Sequence, residues 1–272
     1  MKLTYLGTAA AEGFPAVFCN CRHCTEARRL GGKNIRTRSQ ALIDSSILID
    51  LPADTYHHFL TNRIDRSRIS TVFITHPHQD HFYPEELNMR HGAFAHDMLH
   101  TDLEIYCTEA VMKQITDAGG YENVKAHVIV PFETVKAENY EFTAFPARHT
   151  DNNSGVFYMI KGDGKTILYA HDTGYFYDEV FEYIEKNGIR FDLISFDCTN
   201  IDIPIPDSGH HMGIPNIERL IEKLTSIGAM NSDTVKIINH FSHNASPIHH
   251  ILEERVKDKG WLVSYDSMSV EI

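Results

Sequence analysis

Between Thr75 and Phe82 the chain reads THPHQDHF, which places His76, His78, Asp80 and His81 within six residues. Imidazole and carboxylate side chains are the usual protein ligands of zinc and related divalent ions. The run before them, STVFI, is apolar and β-branched, as a buried strand is. Alternate residues at a strand end face the same way, so His76 and His78 can reach one ion while Asp80 and His81, further round the loop, reach a second. A surface loop that is merely rich in histidine is the competing explanation, and the spacing weighs against it. Three further candidates each follow a strand-like run: His149 in FPARHT, Asp172 in LYAHDTG and His240 in TVKIINH. Each alone is better explained as a polar residue ending a strand. Together they complete a site.

A second constellation is AVFCNCRHCTEA, in which Cys19, Cys21 and Cys24 form C-x-C-x-x-C. Three thiolates can close on one zinc if a fourth ligand arrives from elsewhere. A redox pair fits less well, because the thioredoxin-like βαβ pattern that surrounds such pairs is absent. His23, Cys107, Cys198 or a distant histidine could be the fourth ligand, although His23 sits inside the tight loop and would be strained. The stretch NHFSHN adds His240 and His243, three residues apart, and asks whether they serve one metal or two.

These residues need a scaffold, and the bulk composition bounds it. A chain of 272 residues, 42% hydrophobic, can bury a full core, and a single domain over residues 1–272 is expected. No apolar stretch reaches 18 residues and MKLTYLG lacks the features of an export signal, so the cytoplasm is the expected location and no membrane partner is expected. Five cysteines, an odd number, fit a reducing compartment and metal binding better than a disulfide framework. A net charge of −12 disfavours a nucleic-acid partner, whose affinity comes from neutralised phosphates, so an anionic substrate must be held locally. Eighteen histidines point towards metal as a group.

Short runs rich in Val, Ile and Phe recur as LTYLG, SILID, STVFITH, LEIYC, AHVIV, FDLISF and TVKIIN, each bounded by polar or turn residues. Helical patterns lie between some of them. In GIPNIERLIEKLTSIGAM, Ile214, Ile217, Leu220, Ile221, Leu224 and Ile227 share one face and Pro215 suits the first turn. Others run over Glu85 to Ala95, Glu109 to Ala118 and Tyr177 to Lys186. GVFYMIKGDGKTILYA predicts a hairpin turning at Asp163-Gly164. The order suggests an α/β (α+β) domain of two packed sheets with helices outside.

The H-x-H-x-D-H loop followed by His, Asp and His resembles the metallo-β-lactamase superfamily, over essentially the whole chain. The resemblance implies a four-layer αβ/βα sandwich with two metals at its edge. On that pattern His76, His78 and His149 would hold the first metal, Asp80, His81 and His240 the second, and Asp172 would bridge them. Two divalent ions, zinc or manganese, less the charges of Asp80, Asp172 and a bridging hydroxide, leave about +1 facing the substrate, which suits a small anionic phosphate ester. Asp80 and His81 together favour a hydrolase of the phosphodiesterase type over a true β-lactamase. LGTAAAEGFPAVFCNCRHC, THPHQDH, DCTN and NHFSH are similar to the branch that opens phosphoribosyl 1,2-cyclic phosphate in phosphonate breakdown. That branch carries a structural zinc, and its fourth ligand falls on His243 here. SYDSMSVEI also looks like the branch's C-terminal strand.

Opening such a ring leaves an alkoxide, which a histidine can protonate. The branch places this acid after the D-C-S/T strand, and the segment here is DCTNIDIPIPDSGHHMGIPN. His210 and His211 both qualify, and position relative to the following helix favours His211. His57, His58, His91, His96, His100, His127, His249 and His250 are expected to be surface or supporting groups, and His171 to point to the opposite face from Asp172. Two other functions compete: a tRNA 3′-end endonuclease, for which no basic arm is visible, and a non-catalytic metal-binding accessory of cofactor biosynthesis. The sequence is compatible with a homodimer.

Overall fold

The computed structural model describes residues 1–149 and 154–272. The first half of the chain forms β1 (Lys2–Gly7), α1 (Arg22–Leu30), β2 (Gln40–Ile43), β3 (Ile47–Ile49), α2 (Thr55–Thr61), β4 (Thr71–Phe73), β5 (Leu103–Cys107), α3 (Glu109–Asp117) and β6 (Val124–Val128). The second half forms β7 (Thr134–Ala137), β8 (Tyr140–Pro146), β9 (Val156–Gly162), β10 (Lys165–Ala170), α4 (Asp178–Lys186), β11 (Leu193–Asp197), α5 (Ile214–Ser226), β12 (Val235–Asn239), α6 (His249–Val256) and β13 (Leu262–Val263). A last strand, β14 (Ser269–Glu271), returns to pair with β1.

The strands make two seven-stranded sheets, in the orders β14-β1-β2-β3-β4-β5-β6 and β13-β12-β11-β10-β9-β8-β7. Each is antiparallel on one side and parallel on the other: β3 to β6 run together in the first, β10 to β13 in the second. The inner faces meet through Leu3, Ile47, Phe73, Phe142, Tyr158, Leu193 and Ile237, and the Phe73 and Phe142 rings stack 3.7 Å apart. Outside the first sheet, Val111 and Ile115 of α3 pack with Val72 and Ile105, and Phe59 of α2 lies against the same cluster. Outside the second, α4, α5 and α6 bury Val180, Ile184, Ile217, Leu220, Leu224, Leu252 and Val256. Each such apolar side chain contributes about 2 kcal/mol by leaving water. The result is the four-layer metallo-β-lactamase sandwich.

The hairpin β9–β10 turns at Asp163 and Gly164, both with positive φ (52° and 72°), as a two-residue turn on a right-twisted ribbon requires. Pattern and structure part at several places. The helix expected from Glu85 to Ala95 is a 3₁₀ segment over Pro84–Arg90, the strand in AHVIV is shifted back to Val124–Val128, and His23 lies in α1, not in a tight loop. There His23 Nδ1 faces Ser246 Oγ at 2.8 Å and Nε2 accepts from Arg22, so it is engaged away from the thiols. Among the described residues, no helix is long and apolar enough to cross a membrane.

Strands β3 and β4 end at one edge of the first sheet. In the second, β8, β10, β11 and β12 all run the same way, so their carboxyl ends share an edge. The candidate residues gather where these ends meet.

Candidate metal centres

The loop after β4 is fastened before it delivers its histidines. Asp50, just past β3, accepts from Thr75 N and Thr75 Oγ1 at 2.8 and 2.9 Å, and Tyr158 Oη donates to the Ile74 carbonyl. The chain then coils back, with His81 N and Phe82 N both donating to His78 O. His76 Nε2 and His78 Nδ1 come within 3.0 Å, and His149 Nε2, arriving from beyond β8, is 3.1 Å from the same His78 nitrogen. Burial and the imidazoles around it hold His76 well below the usual histidine range, so it stays neutral as a ligand must.

Asp80, His81 and His240 form a second cluster beside the first. Asp172 lies between them: Oδ1 is 3.5 Å from His149 Nε2, while Oδ2 is 2.9 Å from both His81 Nε2 and His240 Nε2. Those last three atoms are buried, yet among the described residues no hydrogen bond of acceptable geometry joins any of them to a partner. Donor atoms that converge on a point without aiming at one another suit a shared cation, and the N/O donor set suits zinc or manganese. Burial pushes the His81 imidazole down, but Asp172, Asp50 and Asp80 outweigh it and hold His81 well above its ordinary range. Burial also opposes the Asp172 carboxylate, which His240, His81 and His149 nevertheless hold well below the carboxylate range. Three carboxylates around one imidazole call for positive charge, which a divalent ion would supply.

The cysteine group gathers separately. Cys19, Cys21, Cys24 and His243 each offer a ligand atom within 4.8 Å of the others, with His243 Nδ1 3.5 Å from Cys24 Sγ and 3.9 Å from Cys21 Sγ. Cys21 is the N-cap of α1, its sulfur accepting from Cys24 N. That bond and His243 pull its thiol down to about 6, whereas burial pushes Cys24 up to about 11. A buried thiol of that kind ionises readily only beside a cation, as in a zinc site. Cys107 and Cys198 are buried elsewhere.

The adjacent histidines separate. His211 Nδ1 is 3.0 Å from Asp197 Oδ2 and 3.9 Å from Asp172 Oδ1. Burial lowers it, but Asp197 and Asp172 win and lift it to about 9. His210 is exposed and touches the site through its carbonyl.

Sequence reasoning missed three residues here. Asp50 Oδ2 faces His81 Nδ1 at 2.7 Å and fixes which nitrogen turns to the cluster. Asp197 accepts from Asp172 N, Thr199 N and Met212 N as well as facing His211. Thr199 Oγ1 is 2.8 Å from His240 Nδ1 and donates to the His240 carbonyl. The only signal was a carboxylate at each strand end, in SILID and in DCTN. Of the histidines expected to be surface or supporting groups, His58 and His249 are buried: His58 sits between Gln40 Oε1 and Thr37 Oγ1 at 2.6 Å each, and His249 Nδ1 accepts from Arg36. His171 turns away from the cluster and lies 2.7 Å from Ser195 Oγ.

The chain is similar to a ribonuclease Z from Picosynechococcus, 25% identical over 158 residues, covering 55% of this chain and 44% of that protein, so it spans less than half of that relative. It is 23% identical to coenzyme PQQ synthesis protein B of Acinetobacter baumannii over the full length of both. Among solved structures, a diphosphatase of the PhnP family superposes with a TM-score of 0.77 at 19% identity, over 100% of this chain and 96% of that one. The β-lactamase superfamily domain matches residues 42–241, a span that contains both edge clusters, and the chain belongs to that superfamily, in its metallo-β-lactamase fold.

Proposed function

We propose that this chain is a dinuclear metal-dependent phosphodiesterase that hydrolyses a small cyclic phosphate ester, such as phosphoribosyl 1,2-cyclic phosphate. His76, His78 and His149 would hold one divalent ion and Asp80, His81 and His240 the other, with Asp172 lying between the two groups. When bound, the ions would activate water and stabilise charge on the attacking and leaving oxygens of an in-line displacement. Cys19, Cys21, Cys24 and His243 would hold a structural zinc. The observation that carries the proposal is the His211–Asp197 pair beside Asp172. The Asp197 carboxylate at 3.0 Å favours the protonated form of His211, which would give its proton to the leaving alkoxide.

The test is hydrolysis of bis-p-nitrophenyl phosphate and of cyclic ribose phosphates by protein loaded with Mn²⁺ or Zn²⁺. Turnover abolished by Asp80→Ala is expected, and inactivity with every metal and diester would reject the proposal. The full-length likeness to coenzyme PQQ synthesis protein B favours a second reading, a non-catalytic metal-binding accessory. Metal analysis separates the two, about three ions per chain for an intact hydrolase and one for a scaffold.

A further inference from the structure

Placing the acid on His211 leaves His210 without a role, although its setting is specific. Its ring is exposed, and among the described residues no hydrogen bond or ion pair engages it. Its carbonyl oxygen lies 3.3 Å from His149 Nδ1, the nitrogen opposite the one that faces the first cluster. The ring of His149 has His211 at 4.7 Å and His210 at 6.3 Å, centroid to centroid.

Backbone packing fixes this position. A Cβ on Gly174 would fall 1.8 Å from the Gly209 carbonyl oxygen, and one on Gly209 would fall 2.3 Å from Ile205 Cγ2, so the loop seats on the turn after Asp172 only because both residues are glycine. On its other side Asn216 of α5 donates to Ile205 O and Asp207 Oδ1, and Arg219 pairs with Asp207. The cation closest in sequence to His149 is turned elsewhere: Arg148 Nε donates to Tyr175 O and its guanidinium lies 3.9 Å from the Tyr177 ring centroid.

We infer that His210 is a substrate-binding residue of this loop, its imidazole N–H donating to a non-bridging phosphoryl oxygen of the substrate on the His76, His78 and His149 side while its carbonyl aims His149. The inference rests on the phosphodiesterase reading. An imidazole keeps one N–H donor in either charge state, so the role does not depend on its titration. The two adjacent histidines then divide the work, His211 moving the proton and His210 holding the phosphoryl group.

The test uses the full-length chain loaded with Mn²⁺ and two measurements: calorimetric binding of inorganic phosphate, and KM and kcat on bis-p-nitrophenyl phosphate. One hydrogen bond to an anionic oxygen corresponds to about a tenfold change. His210→Ala is expected to weaken phosphate binding and raise KM by about that factor, with kcat and metal content kept because the backbone carbonyl remains. His211→Ala is expected to lose kcat and keep phosphate affinity. Unchanged phosphate affinity and KM in His210→Ala, with His211→Ala still impaired, would overturn the inference and leave the phosphodiesterase reading standing. Loss of kcat in His210→Ala alone would overturn it as well, by moving the acid. If no diester is turned over, the phosphodiesterase reading falls and phosphate calorimetry alone decides the role of His210.

Discussion

Asp50, Asp172 and His240 each follow a strand and each adopts the left-handed backbone state, with φ of 67°, 50° and 64°. That state costs a non-glycine residue about 1–2 kcal/mol, and here it turns a side chain from the sheet edge into the cluster. Rigid strands on either side hold the strain in place. Asp50→Asn keeps the shape but puts a neutral amide opposite His81 Nδ1, and loss of such support commonly weakens metal binding or activity by about 10–100-fold. A chelator competition on this variant should show weaker binding at the paired site and unchanged zinc at the cysteines; equal affinity at both would contradict the role given to Asp50. Asp197→Asn tests the acid. His211 must be protonated to donate, so activity falls as pH rises through its pKa, which Asp197 raises. Without that carboxylate the pKa drops, and the alkaline limb of kcat should move to lower pH; an unmoved limb would show that His211 is not the acid. The candidate ligands were legible because four lie in one loop with metal-like spacing. Asp50 and Asp197 were not, since each reads as an ordinary strand ending and its partner lies 31 or 14 residues away.

At the scale of elements, β12 and the turn after it link the two kinds of candidate metal site. His240 faces Asp172 and His243 faces the cysteines. Between them Phe241 is fully buried, its N–H donating to Thr8 O, its carbonyl accepting from Ala10 N, and its ring 4.5 Å from the buried Arg36 guanidinium. Glu12 adds bonds from Ser242 Oγ and His243 N. A turn clamped this firmly transmits a change at one end to the other. His243→Ala should therefore lose the structural zinc and weaken the paired site, whereas His240→Ala should spare the zinc; metal counts on the two proteins decide, and equal loss of both sites in each would refute the coupling. The late strands and α5 were legible because their apolar runs or faces are unbroken. α1 was hidden inside the cysteine motif, where Cys21 caps the helix with a sulfur in place of the usual hydroxyl or carboxylate. The segment from Glu85 has acidic residues and a proline suited to a helix start, but it buries only Leu87, too little to hold a full α-helix on the sheet.

For the molecule as a whole, buried histidines tie stability to acidity. His58 of α2 lies between Gln40 and Thr37, and burial lowers it to about 4, with Asp54 partly opposing and His57 adding to the shift. His249, against the Arg36 guanidinium, is also lowered to about 4, by burial first and then by that charge. Above the unfolded value of 6.5 both groups are neutral in either state and their contribution to stability is complete. As pH falls below 6.5 the unfolded chain takes up protons that the folded chain refuses until about 4, so stability is lost across that window at about 1.4 kcal/mol per pH unit for each group. For His58, whose value drops from 6.5 to about 4, the loss reaches about 3 kcal/mol. Urea unfolding of metal-loaded protein between pH 7 and pH 4 should show this slope. His58→Gln removes one titrating group while leaving an amide to bond Gln40 or Thr37. The variant should start less stable at pH 7 and lose less on acidification; a slope equal to that of the unmodified chain would place the acid sensitivity elsewhere.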